Sequence, residues 1–189
     1  MQIALDAMGG DLGPQELIKG ALLALEQDNL RITLVGDDAV LQELLQSSSA
    51  SQTLLDRLDI MHARSVIDMN ENPVDAIRKK KDSSIMVAFD LVKSGQASAA
   101  VSAGNSGATL AAGVRKLGRL KNVARPGLAS AFPTLKGPVM IMDIGANVEC
   151  RPVHLYQFGV MASAFSKLYN VTNPRVGLLT IGEESGKGN

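Results

Sequence analysis

Apolar positions along the chain switch between two periods. Gln2 to Leu5 is a short apolar run ending at Asp6, which predicts a strand. Beyond a turn-rich stretch and Pro14, residues Leu17, Ile18, Ala21, Leu22 and Leu25 recur at helical spacing, while Gln15, Glu16, Lys19 and Glu26 face outward. Arg31 to Val35 predicts a second strand, and Asp37 or Asp38 caps a helix carrying Val40, Leu41, Leu44 and Leu45. Ser47 to Gln52 is a low-complexity patch, read as an exposed loop. Leu58 to His62 predicts strand three, and Asn72-Pro73 opens a short helix ending in Arg78-Lys79-Lys80-Lys81. Asp82, Ser83 or Ser84 then caps a more apolar helix to Val92, stopped by Gly95.

Three signals change over between Ala99 and Gly113. Ala99 to Ser102 reads as a short buried strand, and Gly104, Asn105, Ser106 and Gly107 make a small polar turn. From Gly107 onward Leu110, Ala111, Val114 and Leu117 fall at helical spacing. A strand, a glycine-rich loop and a helix start bring free backbone N–H groups and the positive end of the helix dipole together. In outline this is a phosphate site at Ser102, Gly104, Asn105, Ser106 and Gly107. A βα turn that needs small residues for packing would look the same. Further on, Gly127 to Phe132 and Val139 to Met142 predict strands, and Pro152 opens a helix with Leu155, Phe158, Gly159, Ala162 and Phe165 on one face. Arg175 to Ile181 predicts a last strand, and no repeat period is present.

Alternating strands and helices predict one α/β domain over residues 1–189: three layers, with a mainly parallel twisted sheet covered by helices on both faces. Ligands of such sheets sit beyond the carboxyl ends of the strands. The loops expected there run from Asp6 to Asp11, Ser102 to Gly107, Asp143 to Glu149 and Gly182 to Asn189. All four are polar and glycine-rich, which points to a shared phosphate-containing pocket. Its flanking groups would be Asp6, Gly9, Gly10, Asp11, Gly145, Asn147 and Glu183. Asp6 and Asp143 could equally cap turns.

Composition narrows the class. The 189 residues are 46% apolar but only 3% aromatic, so the core must be aliphatic. Nineteen basic and nineteen acidic side chains cancel, which removes any global attraction to nucleic acid or anionic membrane. A lone cysteine, Cys150, excludes an internal disulfide and fits a reducing cytoplasm. The N-terminus has no signal-like pattern and nowhere do about eighteen apolar residues run together, so a cytoplasmic protein is expected.

Several motifs resolve to ordinary readings. Gly182 to Gly188 imitates a P-loop, but its spacing is one residue short, Gly188 replaces the hydroxyl residue, and Glu183 and Glu184 would sit among phosphates. Lys187 could still meet a phosphate oxygen. No dinucleotide fingerprint follows the first strand, and no carboxylate spacing requires a metal, so neither cofactor nor metal is expected. Arg78 to Lys81 fan out around a helix end, either as a solvated terminus or as a docking patch for an acidic partner. Cys150 and His154 are separated by Pro152, which favours a structural thiol over a nucleophile.

Five ordered motifs carry a resemblance. They are Asp6-Ala-Met-Gly-Gly-Asp11, Lys81-Asp-Ser-Ser84, Ser102-Ala-Gly-Asn-Ser-Gly-Ala108, Asp143-Ile-Gly-Ala-Asn-Val-Glu-Cys150 and Pro174 to Glu184. Together they resemble the acyl-carrier-protein-dependent phosphate acyltransferase family of bacterial phospholipid synthesis, PlsX. Departures are Ser106 for the usual Thr, Ile144 for Val or Leu, and Glu149 for Asp. Family members continue beyond Asn189, so the resemblance implies the N-terminal portion of a longer enzyme. It also implies a Rossmann-like fold of the isocitrate/isopropylmalate dehydrogenase-like superfamily. The implied reaction joins inorganic phosphate to a long-chain acyl group carried as a thioester on acyl carrier protein. Asn105, Lys187 and Asp143 would then be catalytic, with Arg78, Lys79, Lys80 and Lys81 docking the acidic carrier. A homodimer, a membrane glycerol-3-phosphate acyltransferase as partner and an association peripheral to the membrane are implied as well. A phosphotransacetylase-like enzyme using acyl-CoA, or a non-catalytic binder of phosphate or carrier, is the alternative.

Overall fold

The computed structural model describes residues 1–180. The chain packs as two compact units, Met1–Gly118 and a second beginning at Arg119.

The first unit carries β1 (Gln2–Asp6), α1 (Gly13–Gln27), β2 (Arg31–Gly36), α2 (Asp38–Gln46), α3 (Gln52–Leu55), β3 (Leu58–His62), α4 (Pro73–Lys79), α5 (Ser84–Lys93), β4 (Ala99–Ser102) and α6 (Ser106–Leu117). Its four strands form a wholly parallel sheet in the order β3-β2-β1-β4. The alternation of strand residues sets the layers. Leu5, Ile32 and Leu34 join Ile18, Ala21 and Leu25 of α1 and Leu41 of α2 on one face. Ala4 and Val35 point the other way and meet Ala88 and Leu91 of α5. A third cluster, including Ile77, Met86, Ala108 and Ala112, packs α4, α5 and α6 together. Full burial of Leu25, Leu34 and Leu41 stabilises the fold by about 1.5–3 kcal/mol each. A four-stranded parallel α/β sheet flanked by helices is thus the architecture of this unit.

Local chemistry explains most of the boundaries. Asp37 caps α2 by accepting the Val40 N–H, and Asn72 caps α4 by accepting from Val74 and Asp75 ahead of Pro73. Ser83 takes the cap position of α5, yet its buried hydroxyl has no partner among the described residues; the Ser84 N–H goes instead to the Ser65 carbonyl.

Four expectations change. The strand Ala99–Ser102 lies at the edge of the described sheet with Val101 half exposed, not buried, because β1 is its one sheet neighbour among the described residues. Helix α6 buries Ala108 and Ala112, whereas Leu117 is half exposed, because close helix packing selects small side chains over the larger apolar ones. The loop expected at Ser47–Gln52 stops one residue early, because Gln52 opens the short helix α3. Residues 175–180 are irregular rather than a strand; Val176, Leu178 and Leu179 are exposed and no described strand pairs with them.

The second unit contains β5 (Ala129–Phe132) and β6 (Val139–Met142), an antiparallel pair, followed by α7 (Pro152–Phe165) and a 3-10 turn (Ser166–Tyr169). This pairing corrects the expectation of four loops on one sheet edge. The loop from Asp143 to Glu149 follows a strand of the two-stranded sheet, and residues 182–189 lie outside the described residues.

Candidate functional site

Parallel pairing sets Asp6 opposite Ser102 at the carboxyl ends of β1 and β4. The Ser102 hydroxyl donates to Asp6 Oδ2 at 2.7 Å and accepts the Gly104 N–H at 3.1 Å. Asp6 Oδ1 accepts the Met8 N–H at 3.3 Å, so the carboxylate of a residue only 3% exposed is held by two groups, the Ser102 hydroxyl and the Met8 N–H. Such burial is tolerable only with partners of this kind. A Cβ at Gly9 would lie 2.7 Å from Asp6 Oδ2 and 3.0 Å from the Gly104 nitrogen. Gly10, at φ +95°, lies where a Cβ would be 3.1 Å from the Ala103 oxygen. Backbone packs on backbone here, which explains the glycines at 9 and 10.

The turn delivers α6. Asn105 caps it, Oδ1 accepting the Ala108 N–H at 3.0 Å. Among the described residues, the N–H groups of Ser106 and Gly107 meet no acceptor. Two orphan donors at the positive end of a twelve-residue helix make a ready anion site. Gly107 is needed because a Cβ would stand 2.6 Å from Pro73 Cγ.

Asn105 differs from the expected catalytic donor. Its Nδ2 donates to the carbonyls of Met69 at 3.0 Å and Glu71 at 3.2 Å, so both amide hydrogens are occupied and the side chain positions the turn. Residues 66–71, which sequence reasoning passed over, form one wall of a cleft of about 480 Å³; Met8, Gly10 and Asp11 form the rest. This loop follows β3 at the same sheet edge as the loops after β1 and β4. It holds no glycine, so a search keyed to glycine missed it; the topological position alone would have found it.

The basic run divides. Arg78, Lys79 and Lys81 are exposed. Lys80 departs from the docking expectation: its ammonium donates to the Val66 carbonyl at 2.6 Å and makes a short ion pair with Glu71. The Glu71 carboxylate also accepts the Asp68 N–H at 2.8 Å. The hydrogen bond from Lys80, then that from Asp68, holds the Glu71 carboxyl below its ordinary value.

In the second unit Asp143 holds a loop. Oδ1 accepts the Leu128 N–H and Oδ2 the Asn147 N–H, each at 2.7 Å, while Asn147 Nδ2 donates to the Pro126 carbonyl at 3.0 Å. Gly145, at φ +108°, turns the chain between them. Asp143 thus makes the turn-capping contacts that are one of the two readings of it. Cys150 is half-buried with Sγ 3.9 Å from the Asn147 carbonyl, a structural setting. His154 is buried, its Nδ1 accepting the Arg151 N–H, and burial followed by Arg125 and Arg151 lowers its pKa. Glu183 and Lys187 lie outside the described residues. No group of three or more His, Cys, Asp or Glu able to hold a metal occurs among the described residues. None of the described helices is long and apolar enough to cross a membrane.

Comparison with known proteins extends this geometry. A phosphate acyltransferase of Pelotomaculum thermopropionicum is 51% identical over 190 residues, covering 100% of this chain and 54% of that protein. One of Oleidesulfovibrio alaskensis is 52% identical over 191 residues, covering 99% and 53%. One of Geobacter sulfurreducens is 50% identical over 190 residues, covering 100% and 54%. The chain spans about half the length of the curated relatives it matches. The family described as Fatty acid synthesis protein matches residues 1–189, and with the match running along its whole length the chain belongs to that family.

Proposed function

We propose that the chain is the phosphate-holding, N-terminal portion of an enzyme that transfers a long-chain acyl group from acyl carrier protein to inorganic phosphate, an early step of phospholipid synthesis. The relatives' name, phosphate acyltransferase, supports the reaction class. The observation that carries the site is the start of α6, where two N–H groups meet no acceptor among the described residues and follow a turn fixed by the Asp6–Ser102 bond.

A phosphate oxygen attacks the thioester carbonyl carbon, and the tetrahedral oxyanion collapses. The carbon–sulfur bond breaks, giving acyl phosphate and the carrier thiolate, which takes a proton from water. Because phosphate is the nucleophile, no activated Ser or Cys is required. The work of the site is to hold a dianion in line with the thioester, a positional and electrostatic task suited to fixed backbone donors. Ser106 and Gly107 supply those donors, Asn105 and Ser102 orient them, and Asp6 anchors the turn. Arg78, Lys79 and Lys81 offer an exposed positive face to the acidic carrier. We place the enzyme in the cytoplasm as a homodimer, handing its product to a membrane glycerol-3-phosphate acyltransferase.

The test is incubation of the full-length protein with long-chain acyl carrier protein and phosphate, trapping acyl phosphate with hydroxylamine. Product that disappears in Gly104→Val, with the circular dichroism unchanged, is expected. Product from acyl-CoA alone would favour a phosphotransacetylase-like enzyme, and phosphate binding without product a non-catalytic binder.

A further inference from the structure

Lys80 sits within a basic run, yet its environment is unlike that of its neighbours. Its side chain is 31% exposed and its ammonium donates to the Val66 carbonyl and the Glu71 carboxylate. Glu71 in turn accepts the Asp68 N–H, which closes the 66–71 loop on itself. Two carbonyls of that loop, at Met69 and Glu71, receive the Asn105 amide, and the other end of the same side chain caps α6 through Ala108. A continuous chain of hydrogen bonds thus runs from the Lys80 ammonium to the helix start.

We infer that Lys80 is a positioning residue for the α6 anion cradle rather than part of the docking face, acting through the 66–71 loop and Asn105. The inference rests on the proposed phosphate reading. Loss of the ammonium would free the Val66 carbonyl and leave the Glu71 carboxylate without its cation, which loosens the loop whose Met69 and Glu71 carbonyls orient Asn105 and adds an uncompensated negative charge beside a site for an anion.

The experiment compares Lys80→Met, Lys80→Arg and Lys79→Met in the full-length protein, with phosphate and acyl carrier varied separately. For Lys80→Met the KM for phosphate should rise about tenfold, the scale of one lost charge-assisted hydrogen bond, with the carrier KM and its salt dependence unchanged. Lys80→Arg, which keeps a cation and its donors, should recover most of the loss. Lys79→Met should instead raise the carrier KM. If Lys80→Met fails to fold, Glu71→Gln weakens the same tie and should move the phosphate KM the same way. An unchanged phosphate KM in the folded variant, or a salt-dependent rise in carrier KM alone, overturns the inference. If the wild-type protein makes no acyl phosphate, the functional reading falls by itself. The positioning claim is then read from the Asn105 side-chain amide resonances, which must move in Lys80→Met but not in Lys79→Met; failure to move overturns it.

Discussion

Ser102 Oγ donates to Asp6 Oδ2 across 2.7 Å, joining residues 96 positions apart at the paired ends of neighbouring parallel strands. The bond ties the first loop of the chain to the turn that launches α6, so the proposed anion cradle inherits the rigidity of the sheet. Ser102→Ala would strand both Asp6 Oδ2 and the Gly104 N–H. The expected cost is about 1–3 kcal/mol, the penalty for leaving buried polar groups unsatisfied. Urea unfolding of the variant measures it, and a change within about 0.5 kcal/mol of wild type would contradict the assignment.

Gly9 and Gly20 form a matched pair of glycines with opposite predictions. A Cβ at Gly9 meets Asp6 Oδ2 at 2.7 Å and backbone nitrogen at 3.0 Å, whereas at Gly20, on α1, it meets nothing within 4 Å. Gly9→Ala should therefore force the two loops apart and reduce acyl phosphate formation at least tenfold. Gly20→Ala should leave activity intact and stabilise the helix by about 0.5–1 kcal/mol. Parallel activity and melting measurements decide, and equal activities would remove Gly9 from the account.

Charge reversal tests the exposed part of the basic run. Arg78→Glu with Lys79→Glu should raise the KM for the acidic carrier and flatten its dependence on salt, by loss of electrostatic steering, with the phosphate KM unchanged. An unaltered carrier KM at low salt counts against docking there.

Acid sensitivity follows from two groups. Burial, then the charges of Arg125 and Arg151, lowers the His154 pKa from its ordinary 6.5, so the fold keeps it neutral where the unfolded chain would protonate it. Its contribution to stability is complete above 6.5 and is lost between 6.5 and the lower folded value as pH falls. Glu71, lowered from 4.5 chiefly by Lys80, contributes above 4.5 and loses that contribution as pH falls through its folded value. NMR titration should place both midpoints below these ordinary values, and Lys80→Met should raise that of Glu71. A His154 midpoint at or above 6.5 would refute the first assignment.

The periods of the apolar residues were a good guide wherever an element packs on the sheet. Ile18, Ala21 and Leu25 face Leu5 and Leu34 as their spacing predicts. Pattern failed where contact depends on small residues or on an absent neighbour. Ala108 and Ala112 carry the α6 interface although Leu110 and Val114 are the more apolar, and the run at 175–180 is strand-like in composition but irregular in the fold. The helix-start turn was legible because glycine, Asn and a period change coincide there. The 66–71 loop was not, since nothing in Val66-Ile-Asp-Met-Asn-Glu71 marks it locally; its role comes from Lys80 and Asn105, both distant in sequence.

The most direct measurement is a titration of inorganic phosphate followed by backbone amide NMR. The amide signals of Ser106 and Gly107 should move saturably and together, and Gly104→Val should abolish the response while other signals hold. Saturable shifts confined to Arg78, Lys79 and Lys81, with Ser106 and Gly107 unmoved, would contradict the cradle.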